Sequence, residues 1–227
     1  MKASPSARSW IAAGVRHELL MRALPALRHE MAGPVSLLRM TLLMLKRQAG
    51  ADPVDGSACV QRVDQASDQL AMLVDSVRAL RDWELATTDE GLARGELVRQ
   101  CAGLMRAAFD LNGLSLEIDE RIDTDAQNEE RWPDGAALRY LLLGALGHLH
   151  DQTEVPVLVR IEPGEESHLV RVRVGPKPEG REDAELMQHR APRSLAIDAV
   201  CLQNLADDLG RTITIGRDEV VLSLKAD

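Results

Sequence analysis

Aromatic residues make up only 2% of this 227-residue chain: one Tyr, one Phe and three Trp. A core this short of rings has to be built from Leu, Val, Ala and Met. Leu, Ala and Met carry good helix propensity, so helical packing is favoured. The same shortage removes the stacking platforms on which single-stranded nucleic acids bind. A basic face is missing too. The formal net charge is −9; residues 1–86 carry 11 Lys and Arg against 9 Asp and Glu, whereas residues 87–227 carry 16 against 27. An acidic second half lacks the electrostatic footprint of a nucleic-acid-binding protein. Cysteine is scarce. Cys59, Cys101 and Cys201 are odd in number, far apart and in no ligand-like spacing, so they read as thiols in a reducing compartment. Long apolar runs are also absent: Arg or His interrupts the longest, and none approaches the roughly 20 residues that a spanning helix needs. Met1 to Pro5 is polar and offers no secretory signal. The expectation is a soluble, cytoplasmic protein with neither nucleic acid nor membrane among its partners.

What is present is a 45% hydrophobic content arranged at helical spacing in the first third of the chain. Over residues 7–48 the apolar positions are Leu20, Ala23, Leu24, Leu27, Met31, Val35, Leu38, Leu42 and Leu45, the period of an amphipathic helix. Pro25 and Pro34 fall inside it, so a kink or brief break is expected at each. The turn formers Gly50-Ala51-Asp52-Pro53-Val54-Asp55-Gly56-Ser57 end this helix. A second follows over residues 58–86, with Val60, Val63, Ala66, Leu70, Leu73, Val77 and Leu80 close to a heptad seam. Two such helices form an αα-hairpin with an uncovered apolar stripe, which pairing of two chains into a dimeric four-helix bundle would bury. Residues 87–91 read as a linker. Beyond it helices are expected at 96–112, 134–149 and 194–209, and strands at 115–119, 155–162, 168–175, 212–216 and 220–224. An acidic loop is expected at 123–132 and a Pro/Gly-rich one at 176–182. Helices interleaved with half-buried strands and no regular βαβ repeat imply an α+β sandwich. The organisation read here is a helical domain at 1–86 and an α+β domain at 90–227.

Within the first helix lies Leu27-Arg28-His29-Glu30-Met31-Ala32-Gly33-Pro34-Val35-Ser36. An imidazole keeps a neutral, nucleophilic population near pH 7. A carboxylate beside it can fix the tautomer and present the other nitrogen for attack. His29, Glu30 directly after it and Pro34 at plus five resemble the H-box of bacterial two-component histidine kinases, whose histidine carries a phosphoryl group. His17-Glu18 has the pair without the proline at plus five, so His17 reads as a surface residue.

That resemblance implies an ATP-binding domain downstream, with an Asn-rich helix, an Asp-x-Gly-x-Gly loop and a second Gly-x-Gly loop. All three are altered. Leu141-Leu142-Leu143-Gly144-Ala145-Leu146-Gly147-His148-Leu149 stands in place of the Asn-rich helix, putting His148, a poor ligand for a hard cation, at the magnesium position. Gly175-Pro176-Lys177-Pro178-Glu179-Gly180 has no aspartate for adenine. Pro192-Arg193-Ser194-Leu195-Ala196-Ile197 replaces the glycines that would open the last helix. The whole pattern resembles the bacterial histidine phosphotransferases of the ChpT type: a dimeric kinase-like hairpin followed by a degenerate, ATP-free copy of the kinase catalytic domain. The resemblance implies that His29 and Glu30 relay a phosphoryl group between receiver-domain aspartates. Magnesium would come with the receiver, so no cofactor or metal of the chain's own is expected. It further implies that Arg22, Arg28, Met31, Ser36 and Arg39 form a docking face for response-regulator receiver domains, a hybrid histidine kinase being a second kind of partner beside the homodimer. Gly33 stands where many of those kinases carry Thr or Asn used to dephosphorylate the partner. The alternative implied by the same architecture is a non-catalytic pseudokinase that docks on a receiver or kinase and inhibits it.

Overall fold

The computed structural model describes residues 4–83, 91–111, 114–122, 130–153, 157–176 and 195–226. The chain divides into two units, one made of Met1–Ala23 with Leu85–Asp227 and the other of Leu24–Glu84. Packing thus assigns the first 23 residues to the α/β part of the chain, a division different from the boundary between 86 and 90 read from sequence.

Helix α1 runs from Pro5 to Ala49 without interruption, through both Pro25 and Pro34. Each proline removes one ladder hydrogen bond, and an interior proline costs a helix about 3 kcal/mol. Around Pro25 this cost is offset by the buried side chains of Leu19, Ala23 and Leu27, since each large apolar side chain taken from water contributes about 1.5–3 kcal/mol. Helix α2 spans Gly56–Ala79 and passes into a 3-10 turn at Leu80–Trp83, ending short of the residue 86 expected from sequence. Its start is fixed by Asp55, whose carboxylate accepts from the backbone N–H of Ser57 at 3.0 Å and Ala58 at 3.1 Å, an N-cap. In the unit Leu24–Glu84 only Leu27, Pro34 and Trp83 are buried among the described side chains, and between residues 35 and 80 none is.

The other unit is built on a five-stranded sheet of β2 (Ser115–Ile118), β4 (Val157–Pro163), β5 (Leu169–Pro176), β7 (Glu219–Ala226) and β6 (Arg211–Ile215), in that spatial order. Only the β2–β4 pair is parallel. A two-residue ladder pairs β1 (Leu92–Ala93) with β3 (Arg131–Trp132), the latter inside what reads from sequence as an acidic loop. Residues 84–90 and 123–129, which take in the expected linker except Gly91 and the expected acidic loop up to residue 129, lie outside the described residues. Val159, Ile161, Val170, Val172, Val220 and Leu222 are fully buried on one sheet face. The other face carries a cross-strand row, Glu117, Arg160, Arg173 and Glu219, in register on four neighbouring strands. It is laced by ion pairs such as Arg160–Glu117 at 2.9 Å and Arg173–Glu219 at 3.6 Å, and a depression of about 340 Å³ on β4 and β5 takes in Arg160, Arg173 and Glu162.

Helices α3 (Arg94–Leu111), α4 (Gly135–Gln152) and α5 (Ala199–Asp208) cover the apolar face. Every residue of α4 from Gly135 to His150 is buried, the signature of a helix with packing on all sides. The sheet lies beneath it, α3 and α5 flank it, and the start of α1 covers it. There Ala12, Val15, Leu19 and Ala23 form a buried stripe at the i, i+3, i+7, i+11 spacing of one helix face. Close approach needs glycine. A methyl at Gly144 would stand 2.9 Å from Leu205 Cδ2, and one at Gly147 would stand 3.0 Å from Ile197 Cδ1 and 3.4 Å from Leu19 Cδ2. Buried Arg211 pins the α4 N-terminus, donating to Leu224 O at 2.8 Å and to the Asp134 carboxylate at 2.8 Å. Asp134 therefore stands before α4 in a left-handed conformation, φ 61°, without capping it.

Candidate functional site

His29 lies near the middle of α1 and is exposed, as is Glu30. Pro34 is buried and has no N–H, so the Glu30 carbonyl loses its helical donor. Neither the His29 ring nor the Glu30 carboxylate is hydrogen-bonded among the described residues. Adjacent helical residues point about 100° apart, so a Glu30–His29 bond needs a rotamer that turns the carboxylate back around the helix. Of the sequence-predicted docking residues, Arg28, Ser36 and Arg39 are exposed and Met31 is half-buried.

Arg22 is placed differently. Its guanidinium donates to both oxygens of Asp151 at 3.0 and 2.9 Å, to Glu18 at 2.9 Å and to Leu195 O at 2.8 Å. The side chain is 15% exposed, and that of Asp151 only 2%. Four acceptors leave this cation engaged within its own unit. Burial pushes the Asp151 carboxyl up, but hydrogen bonds from His150, Arg22 and the Ile197 N–H outweigh it and hold the group down at about 2.

The same network meets two of the three altered elements. Ile197 N–H donates to Asp151 Oδ2 at 2.8 Å, and Ile197 O is 2.8 Å from His148 Nδ1. The carbonyl can only accept, so Nδ1 carries the proton. Here the last helix also departs from the sequence reading. Because Ile197 N–H bonds to Asp151 and the Asp198 carboxylate caps the Cys201 N–H at 2.7 Å, α5 begins at Ala199 and not at residue 194. Residues 177–194, which include Lys177 and Arg193, lie outside the described residues.

Cys101 is poorly placed as a nucleophile. Burial pushes the Cys101 thiol up to about 12, against a smaller opposing effect of Arg139, so no thiolate forms near neutrality. No group of three or more His, Cys, Asp or Glu side chains among the described residues is arranged to hold a metal ion.

Sequence reasoning missed a set of exposed apolar residues near the histidine. Leu37, Met40 and Met44 are all exposed and follow His29 and Gly33 at helical spacing along one side of α1. Their signal was in the sequence as a second apolar stripe, hidden by the stronger seam through Val35 and Leu42. On α2, exposed Val60, Val63, Leu70, Val74 and Val77 stand at i, i+3, i+10, i+14 and i+17, a heptad a/d pattern with Ser67 in the remaining slot.

The architecture is a helical N-terminal region followed by an α/β sheet domain, and no helix among the described residues is long and apolar enough to cross a membrane. Neither a protein-family model nor a curated protein sequence matches the chain. Among solved structures it is similar to a bacterial phosphotransferase, at 14% identity over 98% of each chain with a TM-score of 0.35. It is similar also to the Acinetobacter baumannii histidine kinase AdeS, at 14% identity over 87% of this chain and 98% of that one, TM-score 0.35. A third is the histidine kinase ThkA in complex with the response regulator protein TrrA, at 16% identity over 97% of this chain and 66% of that one, TM-score 0.36. At such identities and scores, function has to come from the residues of this chain.

Proposed function

We propose that this chain is a histidine phosphotransferase of a two-component phosphorelay, working as a homodimer through the hairpin of α1 and α2. The observation that carries the reading is His29 itself: exposed, followed by Glu30, with Pro34 buried five residues on. Its neutral ring nitrogen attacks the phosphorus of a receiver's aspartyl phosphate. A P–N bond forms as the P–O bond breaks, and the aspartate leaves as carboxylate. A second receiver reverses the step. Glu30 accepts a hydrogen bond from the other ring nitrogen and stabilises the charge that develops there. Magnesium arrives with the receiver. Arg28, Ser36 and Arg39 serve the docking face with Met31, and the exposed Leu37, Met40 and Met44 extend it, since methionines adapt to irregular partner surfaces. The dimer reading rests on the stripe of Val60, Val63, Leu70, Val74 and Val77, because a monomer seldom leaves such a surface to water.

The test is incubation with radiolabelled phospho-receivers beside a parallel incubation with radiolabelled ATP. Label arriving from the receiver alone, acid-labile and base-stable as a phosphoramidate is, supports the relay. Label from ATP points to a kinase. Tight receiver binding with no label from either source replaces the relay with a docking inhibitor.

A further inference from the structure

We infer that the depression on the outer face of β4 and β5 binds a small organic monoanion, a carboxylate with a short apolar body, between Arg160 and Arg173. Nothing in this site depends on the relay: it lies on the sheet face turned away from α3, α4 and α5. Val159 and Ile161 point into that helical layer and are fully buried, so Leu158, Arg160 and Glu162 point outward. On β5 the outward residues are Arg171, Arg173 and Gly175. Each stands directly across from one of the three on β4: Gly175 from Leu158, Arg173 from Arg160 and Arg171 from Glu162.

Two features here do nothing for the sheet itself. Arg160 and Arg173 are cross-strand partners, and like charges directly opposite each other destabilise a ladder. Arg160 has a close acceptor in Glu117 at 2.9 Å. Arg173 has none: its nearest carboxylates among the described residues are Glu219 at 3.6 Å and Glu162 at 4.0 Å, beyond hydrogen-bond reach. A guanidinium offers a planar fork of N–H donors that matches a carboxylate, and that of Arg173 is unused. The second feature is Gly175. Glycine within a strand weakens it and marks places where a ligand or another backbone comes close. A methyl there would meet nothing within 4 Å, and its φ is not one that demands glycine. The missing side chain leaves room beside Leu158, which is buried although it faces outward. Leu158, Gly175 and Pro176 give the depression its apolar side, and Arg160, Arg173 and Glu162 its polar one. Its volume of about 340 Å³ suits a small ligand.

The charges set the valence of that ligand. Arg160, Arg171 and Arg173 share this face with Glu117, Glu162 and Glu219, so the patch carries no net field. A multiply charged anion such as phosphate meets the Glu162 carboxylate with nothing to offset the repulsion. A single carboxylate pairs with the Arg173 fork and lays its carbon chain on Leu158 and Pro176.

Titration calorimetry on the full chain with hexanoate tests this, with acetate, hexanol and inorganic phosphate as comparison probes. Hexanoate is expected to bind with a Kd of about 1 mM or tighter, and each comparison probe about tenfold more weakly or not at all. Arg173→Met keeps the length of the side chain but loses the fork, so it should weaken hexanoate about tenfold or more. Gly175→Val fills the space beside Leu158 with a residue that suits a strand. It should weaken hexanoate as much without lowering the melting temperature of the free protein. Arg121→Met removes an exposed arginine that pairs with Asp119 outside the depression and should leave binding unchanged. The site is overturned if hexanoate does not bind, or if it binds Arg173→Met and Gly175→Val as tightly as wild type. Phosphate binding as tightly as hexanoate overturns the monoanion, and hexanol binding as tightly overturns the role of the arginines. Should Gly175→Val fail to fold, Arg173→Met decides alone.

Discussion

His29 and His17 sit on the same helix, each followed by a glutamate and each exposed, so exposure alone does not choose between them. The choice comes from Pro34, which frees the Glu30 carbonyl and has no counterpart five residues after His17. His29→Ala is expected to abolish label transfer from a phospho-receiver and His17→Ala to leave it nearly intact; a His29→Ala protein labelled at the wild-type rate would falsify the assignment. Glu30→Ala should slow transfer by about 10²–10⁴-fold, the scale of a positioned acid–base group. Asp151 gives a second prediction at this scale. Its folded value of about 2 lies below the ordinary 3.8, so the stabilisation is complete above pH ~4 and fades as pH falls from ~4 towards 2. The loss should be about 2 kcal/mol. Asp151→Asn should flatten that part of a stability-versus-pH curve from urea melts. A variant with the same acid slope as wild type would show that other carboxylates carry it.

The elements were legible to different degrees, according to how local their causes are. The period-two runs ending in Val159 and Ile161, and beginning with Val170 and Val172, gave β4 and β5 directly, because alternation is the burial pattern of a sheet with one buried face. The β1–β3 ladder was not readable, since two residues have no period. The start of α5 was misplaced by five residues because Asp151, 46 positions away, captures the Ile197 N–H. For the same reason Arg22 read as a docking cation: its partner Asp151 lies 129 positions along the chain. The α2 stripe was legible in part: Val60, Val63, Leu70 and Val77 of the sequence seam are exposed, but Ala66 and Leu73 are half-buried and Val74 stands in the stripe instead; it carries the prediction for this scale. Leu70 is 51% exposed in the single chain, so Leu70→Glu should leave helicity by circular dichroism unchanged. Buried in a dimer seam, the same charge should weaken association by at least ~3 kcal/mol. Met72→Glu, two residues on and on nearly the opposite side of α2, should leave the dimer intact. Light scattering that gives a wild-type monomer at micromolar concentration, or equal effects of the two variants, would remove the seam.

For the whole molecule the deciding question is whether the α/β unit takes a nucleotide. The three elements that would do so by resemblance are the end of α4, the loop after β5 and the segment before α5. In the described residues the first and last are joined to each other. His148 Nδ1 bonds to Ile197 O, Ile197 N–H to Asp151, and Asp151 to Arg22. Gly147 is closed over by Ile197 on one side and by Leu19 and Arg22 on the other. A backbone N–H free to meet a phosphate would be an anion site; at Ile197 the chain supplies its own carboxylate. A triphosphate entering there would have to displace Asp151 from Ile197 and break a buried pair with Arg22, and separating such a pair costs several kcal/mol. The prediction is that millimolar ATP with magnesium leaves the melting temperature unchanged, within about 1 °C. A ligand at a hundred times its Kd would add about 2.7 kcal/mol, or several degrees for a domain of this size, so the assay separates the outcomes cleanly. A rise that needs magnesium would overturn this reading and make the chain a kinase that binds its nucleotide in another way.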